Sequence, residues 1–228
     1  AAYAAQNGLN FRVIEQNPVV QDTRHWYGAI DSVEAKKAGS VTNRKKLLSE
    51  ISRYASGKCN QRVVKTWIEE SAAMHDFVAG ILENEPYNFK CVFTAGEEAR
   101  WPESEDSTSY VFPEEEHTYR ASESEYGMDR NEVFLEYIQN LGYDVDFNTS
   151  LGKLEKDDTG RVTGIIAQKA SGEFIRINAA KGVLLACGGY PGNPYMMEQL
   201  DPLGASVTTA CSFSPADKGM GIRAAVWA

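Results

Sequence analysis

The chain has 228 residues, 43% of them hydrophobic and 24% charged, which is enough chain and enough apolar matter to bury a core. Its 23 basic and 32 acidic side chains leave a net charge of -9, and no dense Lys/Arg patch interleaves with aromatics, which argues against a nucleic-acid surface. No long uninterrupted apolar run is present, so no segment reads as a membrane-spanning helix.

The chain opens on Ala1-Ala2-Tyr3-Ala4-Ala5 and closes on Ala225-Val226-Trp227-Ala228. Both ends read as helix interiors, as in an interval cut from a longer chain. The Ala-rich opening predicts a short helix stopping at Asn7-Gly8, where glycine accepts a helix-end backbone. Phe11 to Pro18 predicts a brief strand that ends on Glu15. Asn43 to Tyr54 predicts a helix with Leu47, Leu48, Ile51 and Tyr54 on one face. Gln61 to about Leu82 predicts a longer one, with Val64, Ile68, Ser71, His75, Val78 and Leu82 at spacings of three and four.

Between Glu97 and Glu125 ten acidic residues stand against Arg100 and Arg120, with prolines and serines, which predicts a solvated loop. Asp129 and Glu132 form a capping-box pair that opens a helix with Val133, Phe134, Tyr137, Ile138 and Leu141 on its apolar side. After Gly142 the period becomes two. Val145 to Phe147, Leu151 to Glu155, Val162 to Gln168 and Glu173 to Ile177 predict strands, the last three forming a meander with turns at Asp157–Gly160 and Ser171-Gly172. Gly182 to Ala186 predicts a buried parallel strand. Helices follow from Pro194 to Leu200 and from Lys218 onward.

A strand ending in a carboxylate directly after a helix fits the second half of a dinucleotide-binding unit. Glu15 would accept hydrogen bonds from adenosine ribose hydroxyls. The first half, a strand with a Gly-rich turn that seats a pyrophosphate, has no counterpart in the sequence. In Leu185-Ala186-Cys187-Gly188-Gly189, a strand ending in two glycines lets backbone approach a planar ligand; a tight turn is the plainer reading. Cys59, Cys91, Cys187 and Cys211 lack zinc spacing and are expected as free thiols. No metal site is expected. His75, on an apolar helix face, is expected to pack as a hydrogen-bonded core histidine. His25 stands in a candidate ligand-side loop, His117 in the acidic tract as a solvated side chain, and Arg44-Lys45-Lys46 on a helix surface.

Four blocks in order carry a family resemblance: AAYAAQNGLNFRVIEQNP at 1–18, TRHWYGAID at 23–31, the meander from Asn148, and KGVLLACGGYPGN with DKGMGIRAA at 181–193 and 217–225. The chain resembles the flavoprotein family of fumarate reductase and succinate dehydrogenase, including soluble fumarate and urocanate reductases and 3-ketosteroid dehydrogenases. The resemblance implies an α/β fold, a Rossmann-like FAD-binding domain with a parallel sheet plus a β-meander. Residues 1–228 would be its first segment, without the phosphate loop, capping domain and returning segment.

Carried over by position, the resemblance implies that FAD meets Glu15 and Gln16 at the ribose. Thr23 with the Gly28-Ala29 turn would meet the pyrophosphate and flavin ring, Ser150 and Leu151 the adenine. Ala186, Cys187, Gly188 and Gly189 would line the midsection, and Gly219 and Gly221 would follow. Gln21-Asp22 replaces a usual Gly-Gly, and Lys218-Gly219-Met220-Gly221 replaces T-G-D-G, removing an acidic residue. The implied chemistry is hydride transfer between flavin N5 and an activated carbon–carbon double bond of an unsaturated acid or enone. The catalytic Arg and His are expected beyond Ala228, and neither electron donor nor compartment is legible. In this state the 228-residue chain is expected to bind FAD poorly. The rival readings are a non-catalytic flavin-binding remnant or interaction module, and a flavoenzyme that also takes a nicotinamide cofactor, for which no second G-x-G-x-x-G appears.

Overall fold

The computed structural model describes residues 1–20, 27–94, 116–119, 129–206 and 216–228. They form two compact units, one of Ala1, Tyr3–Gln21 and Gly142–Ala228, the other of Ala2 and Asp22–Leu141.

In the first unit, α1 (Ala2–Gln6) ends as its sequence dictates. Gly8 N–H bonds back to Ala5 and Leu9 N–H to Ala4, the paired bonds of a Schellman stop. β1 (Val13–Ile14) pairs in parallel with β5 (Val145–Asp146), Val13 opposite Val145. Phe11 stacks on Tyr143 at 4.6 Å between centroids, and Arg12 bridges to Asp146, so the short pair is pinned by side chains as well as by its ladder. β6 (Thr149–Lys156), β7 (Val162–Lys169) and β8 (Phe174–Asn178) form the expected antiparallel meander. Asp157 builds the first turn by accepting from the amides of Thr159 and Arg161. α6 (Pro194–Leu200) and α7 (Pro202–Ser206) precede α8 (Met220–Trp227), which packs on β6. The core of this unit is Leu151, Ile165, Ala167 and Ala224, closed by Ile14, Val183 and Leu185.

One expectation here is corrected. The run from Gly182 to Ala186 joins no ladder among the described residues and is not a buried strand. Val183 and Leu185 reach the core, whereas Leu184 between them is 89% exposed. A parallel strand exists only where a neighbour accepts its hydrogen bonds; without one, the alternation buries a single side.

In the second unit, α2 (Val33–Lys37), α3 (Arg44–Tyr54), α4 (Gln61–Leu82) and α5 (Arg130–Asn140) start at side-chain caps: Ser32, Asn43, Asn60 and Asp129. The Asp129/Glu132 capping box is fully formed. Leu141 closes α5 44% exposed instead of joining its apolar side. β2 (Tyr27–Gly28), β4 (Glu116–Tyr119) and β3 (Cys91–Thr94) make an antiparallel sheet in that order.

The acidic tract read as loop thus contributes a strand, with His117 opposite both Tyr27 and Phe93. Four residues of mixed polarity carry no local signal, because pairing with chain far away in sequence decides them. The remainder of the tract lies outside the described residues, as do His25 and Cys211. Two cores hold the unit: Ile81, Leu82, Tyr87, Phe89 and Val133, and separately Ile30, Leu47 and Ile68. No helix among the described residues is long and apolar enough to cross a membrane.

Candidate functional site

The first unit gathers most of the residues singled out by sequence. Glu15 follows β1 directly. Its N–H donates to Asp146 O at 3.0 Å, and its carbonyl accepts from Thr149 N–H at 2.9 Å. The carboxylate therefore stands where β1 ends and β6 begins. Its Oε1 accepts from Asn17 N–H and Asn17 Nδ2 at 2.8 and 2.7 Å. Two donors on one oxygen fix the rotamer. Oε2 has no protein hydrogen bond among the described residues and is left for another donor. Ser150 and Leu151 pair with Gln168 and Ala167 in the meander, and the Leu151 side chain is core, so only its backbone can serve a ligand.

Crowding around the Cys187 thiol and, after it, the charge of Glu15 push that thiol above its ordinary range, against an opposing hydrogen bond from the Ala186 backbone. Cys187 is itself exposed, so the upward shift lowers its thiolate fraction and leaves its access intact. At pH 8, iodoacetamide should alkylate Cys187 in the FAD-free protein more slowly than a solvated cysteine. Glu15→Gln should accelerate it about two- to fivefold by removing the anion that opposes the thiolate. Mass spectrometry of the Cys187 peptide reads the rate, and an unchanged rate would separate the two groups.

Gly188 sits at φ 66°, where a side chain would run into the Asp217 carboxylate, with Cγ 3.1 Å from the added carbon. Gly221, on α8, allows close approach: a Cβ there would lie 2.9 Å from Cys187 Cβ and 3.0 Å from its sulfur. Residues 216–219 are tied to this segment by backbone bonds, Gly219 N–H to Gly189 O at 3.0 Å and Gly192 N–H to Asp217 O at 2.9 Å. Gln16 reaches across to donate to Ala216 O at 2.9 Å. Glu15, Gln16, Ala186–Gly189, Gly219 and Gly221 are thus brought together in one unit.

Lys218 is engaged with the Gly192 carbonyl at 2.7 Å, and Met220 offers no charge. Asp217, which sequence reasoning passed over, brings a carboxylate to Gly188 in its place. Its position just before the Lys218-Gly219 block was the available signal, but only the tertiary contact shows where it points.

In the second unit, Gly28 closes β2, and Ala29 after it is fully buried, backbone included. Trp67 Nε1 donates to Gly28 O at 3.2 Å, and Ile30 N–H donates to Ser71 Oγ at 2.9 Å. The Tyr27 hydroxyl meets His75 Nδ1 at 2.7 Å, and His75 Nε2 meets Glu34 Oε2 at 2.7 Å. His75 is 1% exposed, a hydrogen-bonded core histidine as expected. Burial drives the Tyr27 phenol far above its ordinary range, with Cys91 adding to the effect, so it stays protonated. Arg130 lies over its ring at 5.7 Å. Thr23 lies outside the described residues.

The family model described as FAD binding domain matches residues 1–228. A 52-residue stretch is 44% identical to the 3-oxosteroid 1-dehydrogenase of Comamonas testosteroni, covering 23% of this chain and 9% of that protein. The 3-ketosteroid-Δ4-(5α)-dehydrogenase of Rhodococcus jostii RHA1, solved with 4-androstene-3,17-dione, superposes with a TM-score of 0.72 at 19% identity, over 99% of this chain and 50% of that one. The open conformation of a flavocytochrome c3 fumarate reductase gives 0.70 at 18% identity, over 99% of this chain and 37% of that one. At such identities the structures establish the fold, and the chain spans half or less of each protein. The chain belongs to the family of FAD binding domains, and FAD is its cofactor.

Proposed function

We propose that this member of the FAD-binding family is the first segment of the FAD-binding domain of an oxidoreductase that moves hydride between the flavin and an activated carbon–carbon double bond. The observation that carries the reading is the Glu15 carboxylate, with one oxygen spent on Asn17, at the end of β1, in the same unit as the Ala186–Gly189 segment. A ribose hydroxyl needs an acceptor such as Oε2. A pyrophosphate or ribityl chain needs backbone without Cβ atoms in the way.

In this reading Glu15 and Gln16 hold the adenosine ribose, and the backbone of Ser150 and Leu151 meets the adenine. Ala186, Cys187, Gly188 and Gly189 line the middle of the cofactor, with Gly219 and Gly221 behind them. Thr23, Gly28 and Ala29 serve the pyrophosphate and flavin ring. When bound, the isoalloxazine supplies hydride transfer at N5, and this chain contributes binding, orientation and exclusion of water. The substrate class, an enone or an unsaturated acid, is supported by relatives named for a 3-oxosteroid and for fumarate.

Anaerobic mixing of the reduced full-length protein with fumarate, or of the oxidised protein with a saturated 3-ketosteroid, tests it. Flavin reoxidation or bleaching with either substrate supports the reading. A stoichiometric flavin that answers to neither class, nor to other conjugated acids and enones, would contradict it.

A further inference from the structure

Glu15 and Asn17 are both stitched to the short connection from β5 into β6. Glu15 N–H donates to Asp146 O at 3.0 Å, the Glu15 carbonyl accepts from Thr149 N–H at 2.9 Å, and the Asn17 carbonyl accepts from Asn148 N–H at 3.1 Å. Pro18 follows, and its ring keeps Asn17 out of helical backbone. On this fixed base the two side chains meet. Asn17 N–H and Nδ2 both donate to Glu15 Oε1, at 2.8 and 2.7 Å. A carboxylate only accepts, and each of its oxygens offers about two lone pairs. Oε1 is therefore saturated within the protein, while Oε2 keeps its own capacity. A free glutamate side chain loses rotamer freedom when a ligand orders it; here Asn17 has ordered it beforehand.

Resting on the reading that Glu15 holds the adenosine ribose, we propose that Asn17 is the positioning residue that makes Glu15 a one-oxygen acceptor, with Oε2 set for a single hydroxyl of the ribose pair. In this role Asn17 acts through Glu15 and not on the cofactor. The selectivity follows from the division of the carboxylate. Two equivalent oxygens span a vicinal pair of hydroxyls, and the loss of either hydroxyl is felt. With Oε1 spent, one hydroxyl is read and its neighbour is not.

The test titrates ADP, 2′-deoxy-ADP and 3′-deoxy-ADP into the full-length apoprotein by calorimetry, with thermal melting as the check on folding. In the parent, one deoxy form should bind about five- to twentyfold more weakly than ADP, and the other within about twofold of it. Asn17→Ala removes the side-chain donor and lets the carboxylate turn. ADP should then weaken about three- to tenfold, and the two deoxy forms should differ by less than about twofold. Asn17→Asp keeps the size and the backbone bonds but sets like charge against Glu15, and should weaken ADP at least as much. In Glu15→Leu protein neither Asn17 substitution should weaken ADP further, whereas an effect exerted through folding alone would persist there.

If Glu15→Leu weakens ADP while both Asn17 variants keep the parent's affinity and its preference between the deoxy forms, the positioning role is overturned and the ribose reading stands. An equal cost for removing either hydroxyl in the parent would overturn the one-oxygen division. ADP binding indifferent to Glu15→Leu would overturn the ribose reading and the proposal with it. If Asn17→Ala does not fold, the equally sized Asn17→Asp decides.

Discussion

Replacing Gly188 with valine will weaken FAD binding about 10- to 100-fold, or about 1.4–2.7 kcal/mol. Two effects combine. A residue with a Cβ pays about 1–2 kcal/mol to hold the left-handed backbone that Gly188 adopts at φ 66°. The added carbon also meets the Asp217 carboxylate, whose Cγ would be 3.1 Å away. Either the strain stays or the 216–219 segment retreats, and both displace the backbone between Cys187 and Gly189. Tryptophan and flavin fluorescence titration measures the loss. Adding Asp217→Gly should restore part of the affinity, because it removes the collision and leaves only the backbone strain. Undiminished binding in the single variant would mean that this segment does not approach the cofactor.

The second large effect falls on stability. Leu82 is fully buried at the end of α4, packed with Ile81, Tyr87, Phe89 and Val133. Leu82→Ala will destabilise the second unit by about 2–5 kcal/mol, from lost transfer energy plus the cavity left behind. Against a total of about 5–15 kcal/mol that is a large share. Denaturant unfolding should show an earlier midpoint for this unit with an unchanged slope. Because Tyr27 packs against the same cluster, the turn it leads into should loosen as well. A change below about 1 kcal/mol would mean that the site collapses around the smaller side chain.

What the sequence disclosed followed from the range of the interactions. Helices were legible because their determinants are local. The Asp129/Glu132 box lies within one turn, and α4 showed its period over 22 residues. The meander was legible for the same reason, since Asp157–Gly160 and Ser171-Gly172 join strands adjacent in sequence. β4 was not, because its partners lie as far away as Tyr27. Gly182–Ala186 had the composition of a buried strand, but composition does not supply a neighbour, and Leu184 points outward.

The site divides likewise. Glu15 was readable from its place at a strand end, and Gly188 from its neighbour Gly189. Asp217, Trp67 and Glu34 were not singled out. Asp217 matters through a contact 29 positions away in number, made only when the 188 and 217 segments meet. Ser71 was visible only as a member of an apolar face, and His75 as a hydrogen-bonded core histidine whose partners the sequence did not name. Their hydrogen bonds to residues 27–30 appear once that turn lies against α4.

The central claim is that Glu15, at the end of β1, holds FAD. It is tested most directly by titrating FAD into the full-length apoprotein with Glu15 intact and with Glu15→Leu. The account predicts one FAD per chain for the parent and an affinity lowered about tenfold or more in the variant, as expected when a charged acceptor is lost, with the melting transition retained. Equal affinity in two folded proteins would contradict it.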